Sequence, residues 1–396
     1  MKIGFDISQT GKDKAGCGYF AQGMIQELAK LNSGEEYVLY PNFGDFYFDP
    51  DMSSPHPIEG PGIGYGPKEL TFEMAKAFWT APDLEQRLEP VDIMHSNNYW
   101  CPRQLRKARL IYTLYDLSFL EQPTWTTEAN RVGCFYGIFG AAALADWIVS
   151  ISQASRDHFL SIFPSFPADR IKVIFPGSRF TASSIAVKPP RLEHVQPRNY
   201  WLSVGTIEPR KNHDRLLQGF ARYLAAGGRP MPLVLVGASG WLMEDFSDRL
   251  ARLDIAKHVV LIGYVPDEEL VWLYKNCCAN IYMSLFEGFG LPVLEGMTLG
   301  APTIASRATS IPEITGTAAL LIDPTDVDGL ANTLLKTSND RKLRNRLSTL
   351  AREQAANFQW ELSARQLLAL YQLALETPKR NPSPRAAPFE ERGPVL

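Results

Sequence analysis

Short apolar runs bounded by glycine alternate with helix-periodic segments along most of this chain. That alternation leaves few folds open. In the second half the runs are residues 201–206, 233–236, 259–262, 279–283, 302–305 and 319–322. Strands separated by helices at this spacing require a parallel, doubly wound sheet. The first half shows a looser version of the same pattern, with runs at 2–7, 37–40, 91–95, 110–114, 147–152 and 171–177. A chain of 396 residues has length for two or three domains, each with its own core. The expectation is α/β: two doubly wound, Rossmann-like domains.

Composition serves mainly to exclude. Hydrophobic content of 45% and charged content of 21% are those of a globular protein. A net charge of −3 gives no reason to expect nucleic acid. Five cysteines, with no Cys-x-x-Cys pair, suit a reducing, cytoplasmic compartment. The N-terminal apolar run is too short for a signal peptide. The apolar stretch 137–151 is interrupted by Asp146 and is shorter than the roughly 20 residues of a membrane span.

The most informative stretch is 279–300. A strand passes through Gly288-Phe289-Gly290 into a helix, with Pro292 suited to its first position and Gly300 to its end. Such a turn aims backbone N–H groups and a helix dipole at a ligand. Glu287 and Glu295 flank it. Ionised acids repel phosphate, so these two are expected to face uncharged, hydroxyl-bearing parts of a ligand. The plain alternative is a strand–turn–helix with two solvated glutamates.

Other candidates sit at strand ends, where open α/β sheets bind ligands. In the first half, residues 8–18 form a glycine loop before a helix, with Gly16 and Gly18 placed to cradle an anion or simply to turn. His95 and Asn97 end one strand, and Tyr115 and Asp116 end the next. Arg156 opens a helix, where it meets a phosphate or caps and solvates. Residues 41–67 read as a long irregular insertion, shaping the acceptor side or without a role. Its Asp49-Pro50-Asp51 matches a short metal-binding pattern that arises often by chance. The basic cluster 103–109 reads first as a solvated turn and second as attraction to an anionic membrane surface or acceptor. In the second half, Gly205 and Thr206 lead into Glu208-Pro209-Arg210-Lys211-Asn212. Two adjacent cations at a strand-to-helix turn read first as surface Arg and Lys beside a helix, and second as what a diphosphate leaving group requires. Gly237 ends the next strand, and Tyr264 and Val265 follow the one after it. No cluster of histidines has ligand spacing, so no metal is expected.

The Glu, Gly-Phe-Gly-Leu-Pro, Glu pattern from Glu287 to Glu295 closely resembles the carboxylate motif of glycosyltransferase family 4, the retaining sugar-nucleotide transferases of GT-B fold. The resemblance covers residues 1–375 and is strongest over 201–322. It implies two Rossmann-like domains facing a central cleft. The first, 1–178, is the acceptor side, followed by a linker, 179–198, and a nucleotide-sugar domain, 199–358. A helix at 359–376 crosses back to the first domain, and a disordered tail occupies 377–396.

By the same resemblance Glu295 holds the ribose, and Glu287 with the amides of Phe289 and Gly290 holds the hexose. Arg210 and Lys211, helped by the Gly16–Gly18 loop, neutralise the diphosphate, and the loop at Tyr264 and Val265 frames the base. Family members place a histidine where this chain has Tyr115, which leaves Asp116 as the candidate polar group on the acceptor face. His95, Asn97, Tyr115 and Arg156 are the acceptor-side candidates. Glu-Pro-Arg-Lys-Asn is similar to O-antigen and exopolysaccharide mannosyltransferases, which implies mannose from GDP-mannose. The partners implied are a nucleotide-sugar donor, a glycan or lipid-linked acceptor, and peripheral contact with the inner membrane face, with no separate cofactor. The rival readings are a UDP-hexose transferase, a catalytically silent sugar-nucleotide-binding subunit and, third, a nicotinamide dehydrogenase.

Overall fold

The computed structural model describes residues 1–11, 14, 16–44, 58–68, 71–238 and 246–380. It divides into two units. The first comprises Met1–Pro123, Thr127–Pro176 and Trp360–Leu396; the second comprises Thr124–Thr126 and Gly177–Gln359.

In chain order the first unit contains β1 (Lys2–Asp6), α1 (Gly16–Leu31), β2 (Glu36–Tyr40), β3 (Ile63–Tyr65), α2 (Phe72–Trp79), α3 (Leu84–Arg87), β4 (Ile93–Ser96), β5 (Arg109–Leu114), α4 (Ser118–Glu121), α5 (Glu128–Leu144), β6 (Trp147–Ser150), α6 (Gln153–Ile162) and β7 (Ile171–Val173). Its sheet has the order β3-β2-β1-β4-β5-β6-β7, parallel throughout. The second unit contains β8 (Trp201–Val204), α7 (His213–Ala225), β9 (Leu233–Val236), α8 (Phe246–Arg252), β10 (Val259–Gly263), α9 (Asp267–Asn276), β11 (Ala279–Tyr282), α10 (Leu291–Thr298), β12 (Thr303–Ser306), α11 (Ile311–Thr315), β13 (Ala319–Ile322), α12 (Val327–Asn339) and α13 (Arg341–Ala355). Its sheet, β10-β9-β8-β11-β12-β13, is also parallel. The last helix, α14 (Trp360–Glu376), belongs to the first unit.

Both faces of the second sheet are covered, and its strands show why. Trp201, Leu233 and Leu235 pack on one face with Leu216, Leu217 and Phe220 of α7 and Leu330 and Leu334 of α12. Leu202, Val234 and Val236 pack on the other with Leu270, Val271 and Tyr274 of α9. β8 and β9 are apolar on both sides, so their sequences read as near-continuous runs rather than alternations.

Several expectations change. Residues 41–67 are not wholly irregular: Ile63–Tyr65 pairs in parallel with β2 and forms the sheet edge. Residues 45–57, including Asp49-Pro50-Asp51, lie outside the described residues. The stretch 179–198 is not a free linker. Phe180 and Leu192 are buried in the second unit's core, Val187 N donates to Glu268 O, and an Arg191 guanidinium N–H donates to Ile262 O. Prolines hide this in the sequence, because the segment packs through single anchors without a periodic pattern. In the basic cluster, the Arg109 guanidinium donates to the carbonyls of Ala374 and Thr377, while Glu85 accepts the N–H groups of Arg106, Lys107 and Ala108. Of the expected tail, residues 377–380 are packed and 381–396 lie outside the described residues. Lys379 donates to the carbonyls of Leu105 and Ala108, and Arg380 to those of Ala142 and Ala145.

Asp146, fully buried, accepts the N–H groups of Leu110 (2.9 Å) and Arg380 (2.6 Å) and so ties β5 to the chain after α14. Replacing Asp146 with alanine leaves buried donors unpaired and is expected to cost about 1–3 kcal/mol of unfolding free energy, measured by denaturant melts. Asp146→Asn, whose amide oxygen still accepts one of them, is expected to cost less.

Candidate active site

The strand order of the second sheet reverses between β8 and β11, the third and fourth strands across it. In open parallel sheets a ligand crevice forms outside the carboxyl ends of the strands at such a point. The two stretches singled out from the sequence leave these two strand ends and interlock there. Leu285 N donates to Arg210 O at 2.9 Å, and Asn212 Nδ2 donates to Met283 O at 2.9 Å and Pro324 O at 2.8 Å. Asn212 has φ +60°, which an asparagine tolerates, and caps α7.

Glu287 is at the centre. Its carboxylate accepts from Lys211 Nζ (2.6 Å), a guanidinium N–H of Arg210 (3.0 Å) and Tyr282 Oη (2.9 Å). Lys211 also donates to Tyr282 Oη (2.8 Å), and Arg210 also to Glu208 (2.9 Å) and Phe286 O (3.0 Å). Burial alone would raise the Glu287 pKa. Lys211 and then Arg210 overcome it and hold the carboxyl at about 2, below its ordinary 4.5. Burial, with Arg210 alongside, pushes Lys211 below its ordinary 10.5 against the pull of Glu287 and Glu208. Acids and bases were expected to address different parts of a ligand. In this structure they address each other first, two carboxylates against two cations.

Glu295, on α10, is also buried and also paired. Arg179 Nε donates to Glu295 Oε1 at 2.7 Å and a second guanidinium N–H reaches Oε2 at 3.4 Å, while a third donates to Asp267 at 2.8 Å. Burial raises the Glu295 pKa above 4.5 and Arg179 opposes it.

The turn between the two acids is built as its glycines require. Gly290 has φ +112°, and a Cβ there would lie 2.7 Å from Ile311 Cδ1. The N–H groups of Gly290 and Leu291, opening α10, have no partner among the described residues. Phe289 is buried, with its ring 5.9 Å from that of Phe358. At the neighbouring strand end, Gly237 has φ +147° and a Cβ on it would lie 2.2 Å from Gly205 O. Gly237 N donates to Gly263 O and Gly205 N to Val236 O, which draws the ends of β8, β9 and β10 together. Thr206 is half-buried and Tyr264 is 65% exposed. Val265 is packed in the core with Ile262 and Leu270.

The first-unit candidates are mostly internal. His95 is fully buried, its ring nitrogens bonded to Tyr371 Oη (2.6 Å) and Thr113 Oγ1 (2.9 Å), and burial pushes its pKa down to about 3. Asn97 is consumed by Asp6 and Thr113. Tyr115 Oη donates to Asn97 O at 2.9 Å, with Cys17 O at 3.3 Å, and burial raises its pKa. These three hold β1, β4, β5, α1 and α14 together rather than presenting a side chain to an acceptor. Asp116, half-buried, accepts Ser118 N and Oγ and turns the chain into α4. Arg156 pairs with Asp157 at 3.1 Å. Gly16 begins α1, and a Cβ on Gly18 would lie 1.9 Å from Gln9 O, so the first turn of α1 sits directly against Gln9.

The sequence reading gave no role to Arg179, Glu208, Tyr282, Thr309 or Ser310. Glu208 and Tyr282 stand inside the quoted motifs, and that proximity was the available signal. Arg179 had none, because its partner is 116 residues away.

A family model described as glycosyl transferases group 1 matches residues 185–354. Over 285 residues, 71% of this chain and 74% of the relative, the sequence is 32% identical to the O-antigen chain mannosyltransferase B of Escherichia coli. The chain belongs to the group 1 glycosyltransferases. Solved structures agree on the fold of this glycosyltransferase, GT-B. HepE of Anabaena, in complex with UDP-glucose, superposes with a TM-score of 0.69 at 18% identity, over 94% of this chain and 100% of that one. Sucrose-phosphate synthase of Thermosynechococcus elongatus superposes with a TM-score of 0.70 at 20% identity, over 95% and 99%.

The Glu287 pairing carries a pH signature. A carboxyl whose folded pKa is depressed contributes stability above its ordinary 4.5 and loses it as pH falls through about 2. The stability difference between wild type and Glu287→Gln, from denaturant melts at a series of pH values, is expected to be constant above pH 4.5 and to shrink toward pH 2.

Proposed function

We propose that this glycosyltransferase is a retaining hexosyltransferase that moves mannose from GDP-mannose to a hydroxyl of a glycan or lipid-linked acceptor. The observation that carries the reading is the buried Lys211–Glu287–Arg210 cluster at the β8/β11 reversal, beside the turn that opens α10. Lys211 uses two of its three N–H donors on Tyr282 and Glu287, which leaves one for a phosphate oxygen. As the bond from the sugar C1 to the diphosphate breaks, its electron pair passes to the leaving phosphate oxygen. Fixed cations stabilise that charge without rearranging.

Glu287 then does not act as a base. At a pKa of about 2 it is too weak to take a proton near neutral pH. Its lone pairs accept sugar hydroxyls instead, alongside the N–H groups at the start of α10. Glu295, its charge balanced by Arg179, receives the ribose hydroxyls. The acceptor hydroxyl attacks C1 from the face the leaving group departs, forms the new C1–O bond and gives its proton to the leaving phosphate. Two cations and a helix N-terminus serve the diphosphate in this scheme, so it requires no metal ion. Contact with the inner membrane face through a lipid-linked acceptor belongs to the same proposal. No helix among the described residues is long and apolar enough to cross a membrane.

The mannose reading draws support from the E. coli relative, named a mannosyltransferase. A UDP-hexose donor is the second reading, favoured by the UDP-glucose complex of HepE. A thermal-shift panel of GDP, UDP and ADP with their sugars separates them, since a bound ligand stabilises by mass action. GDP-mannose is expected to raise Tm most and to release GDP on turnover. A larger shift with UDP-glucose would move the donor assignment, and binding without turnover of any donor would leave a silent binding subunit. Lys211→Ala is expected to lower kcat by about 10²–10³-fold, whereas Glu295→Ala is expected to raise KM for the donor with a smaller effect on kcat.

A further inference from the structure

Thr309 has φ +45°, a left-handed conformation that strains a β-branched side chain. The other non-glycine residues at positive φ among those described are Asn32, Arg198, Asn212 and Asp254, none of them β-branched. Strain of this kind persists only where surrounding contacts fix it, and it gathers at functional sites.

The contacts that fix it converge on Glu287. Thr309 Oγ1 accepts the Glu287 N–H at 2.9 Å. The next residue, Ser310, is fully buried and its hydroxyl lies 3.0 Å from Glu287 O and 2.7 Å from Phe289 O. The turn between β12 and α11 therefore grips Glu287 by its N–H and its carbonyl, independently of the cations that grip its carboxylate. Ile311, which follows, closes against Gly290. A glycine at 309 would relax the backbone but offer no acceptor for the Glu287 N–H. A threonine supplies the oxygen and bears the strain.

We propose that Thr309 is a positioning residue that sets the orientation of Glu287 between Lys211 and Arg210. The inference rests on the reading of Glu287 as the acid that holds the transferred sugar. Small displacements of a positioned group cost large factors in rate while ground-state nucleotide binding, made elsewhere, is retained.

The test compares Thr309→Gly, Thr309→Ser and Glu287→Gln. Measured are Tm, amide exchange of Glu287, GDP affinity by calorimetry and donor turnover as nucleotide release from the donor the thermal-shift panel selects. Thr309→Gly is expected to keep or raise Tm, to speed exchange of the Glu287 amide, to leave GDP affinity unchanged and to lower kcat by about 10–100-fold. Thr309→Ser restores the hydroxyl and is expected to rescue both amide protection and kcat. Thr309→Ala replaces the glycine variant if that does not fold. Unchanged Glu287 amide exchange in the glycine variant overturns the proposal, as does wild-type kcat in that variant while Glu287→Gln is inactive. Wild-type turnover by Glu287→Gln would instead bring down the reading of Glu287 itself, and the proposal with it.

Discussion

An ionised carboxylate removed from water must be compensated, and in the second unit the compensation of Glu287 decides where much else goes. Its two cations come from one motif and its tyrosine from the strand that precedes its own turn. Both motifs are anchored backbone to backbone and through Asn212, so the ends of β8 and β11 are joined where the strand order reverses. Removing one partner of such a set strands the others in a low-dielectric interior. Glu-Pro-Arg-Lys-Asn and Glu-Gly-Phe-Gly are thus halves of one device: Glu208 steadies Arg210, Pro209 opens the turn, and Asn212 closes it.

The two sheets share a strand order over their first six strands but use the reversal differently. In the first, the strand ends are filled by the protein's own polar groups. Asp6 accepts Ser8 N and Oγ and Asn97 N, and burial pushes its carboxyl up to about 7. His95, Thr113 and Tyr371 close a second set of bonds beside it. In the second, the groups are charged, balanced among themselves and set beside unpartnered amides of a helix start. Among the described residues, this second arrangement keeps a third Lys211 N–H donor and the first amides of α10 without partners.

Much of this was legible in the sequence, for identifiable reasons. Strands buried on both faces announce themselves as unbroken apolar runs, so the two parallel sheets followed from local pattern. The turn at Gly288-Phe289-Gly290 was readable because Gly290 adopts a backbone other residues avoid. What escaped was set by distance or by geometry with no local signature. His95, Asn97 and Tyr115 are polar residues at strand ends, which is where ligand-binding groups also sit; only their partners, His95 with a helix 276 residues away among them, show that they are internal. Thr309 looks ordinary until its φ is known. Arg179 and the packed residues 377–380 lie in proline-containing stretches whose composition suggests looseness, although Arg179, Thr377, Lys379 and Arg380 are each held by a specific carbonyl or carboxylate.

Arg179 also bears on how this protein can be cut. The second unit's first strand begins at Trp201, and a family boundary falls at residue 185, yet the cation that balances Glu295 enters upstream of both. A fragment started at either point would carry an acidic group in its interior with no counterion to meet it. Excised copies of the second unit therefore inherit an electrostatic fault unless the excision reaches back to Gly177.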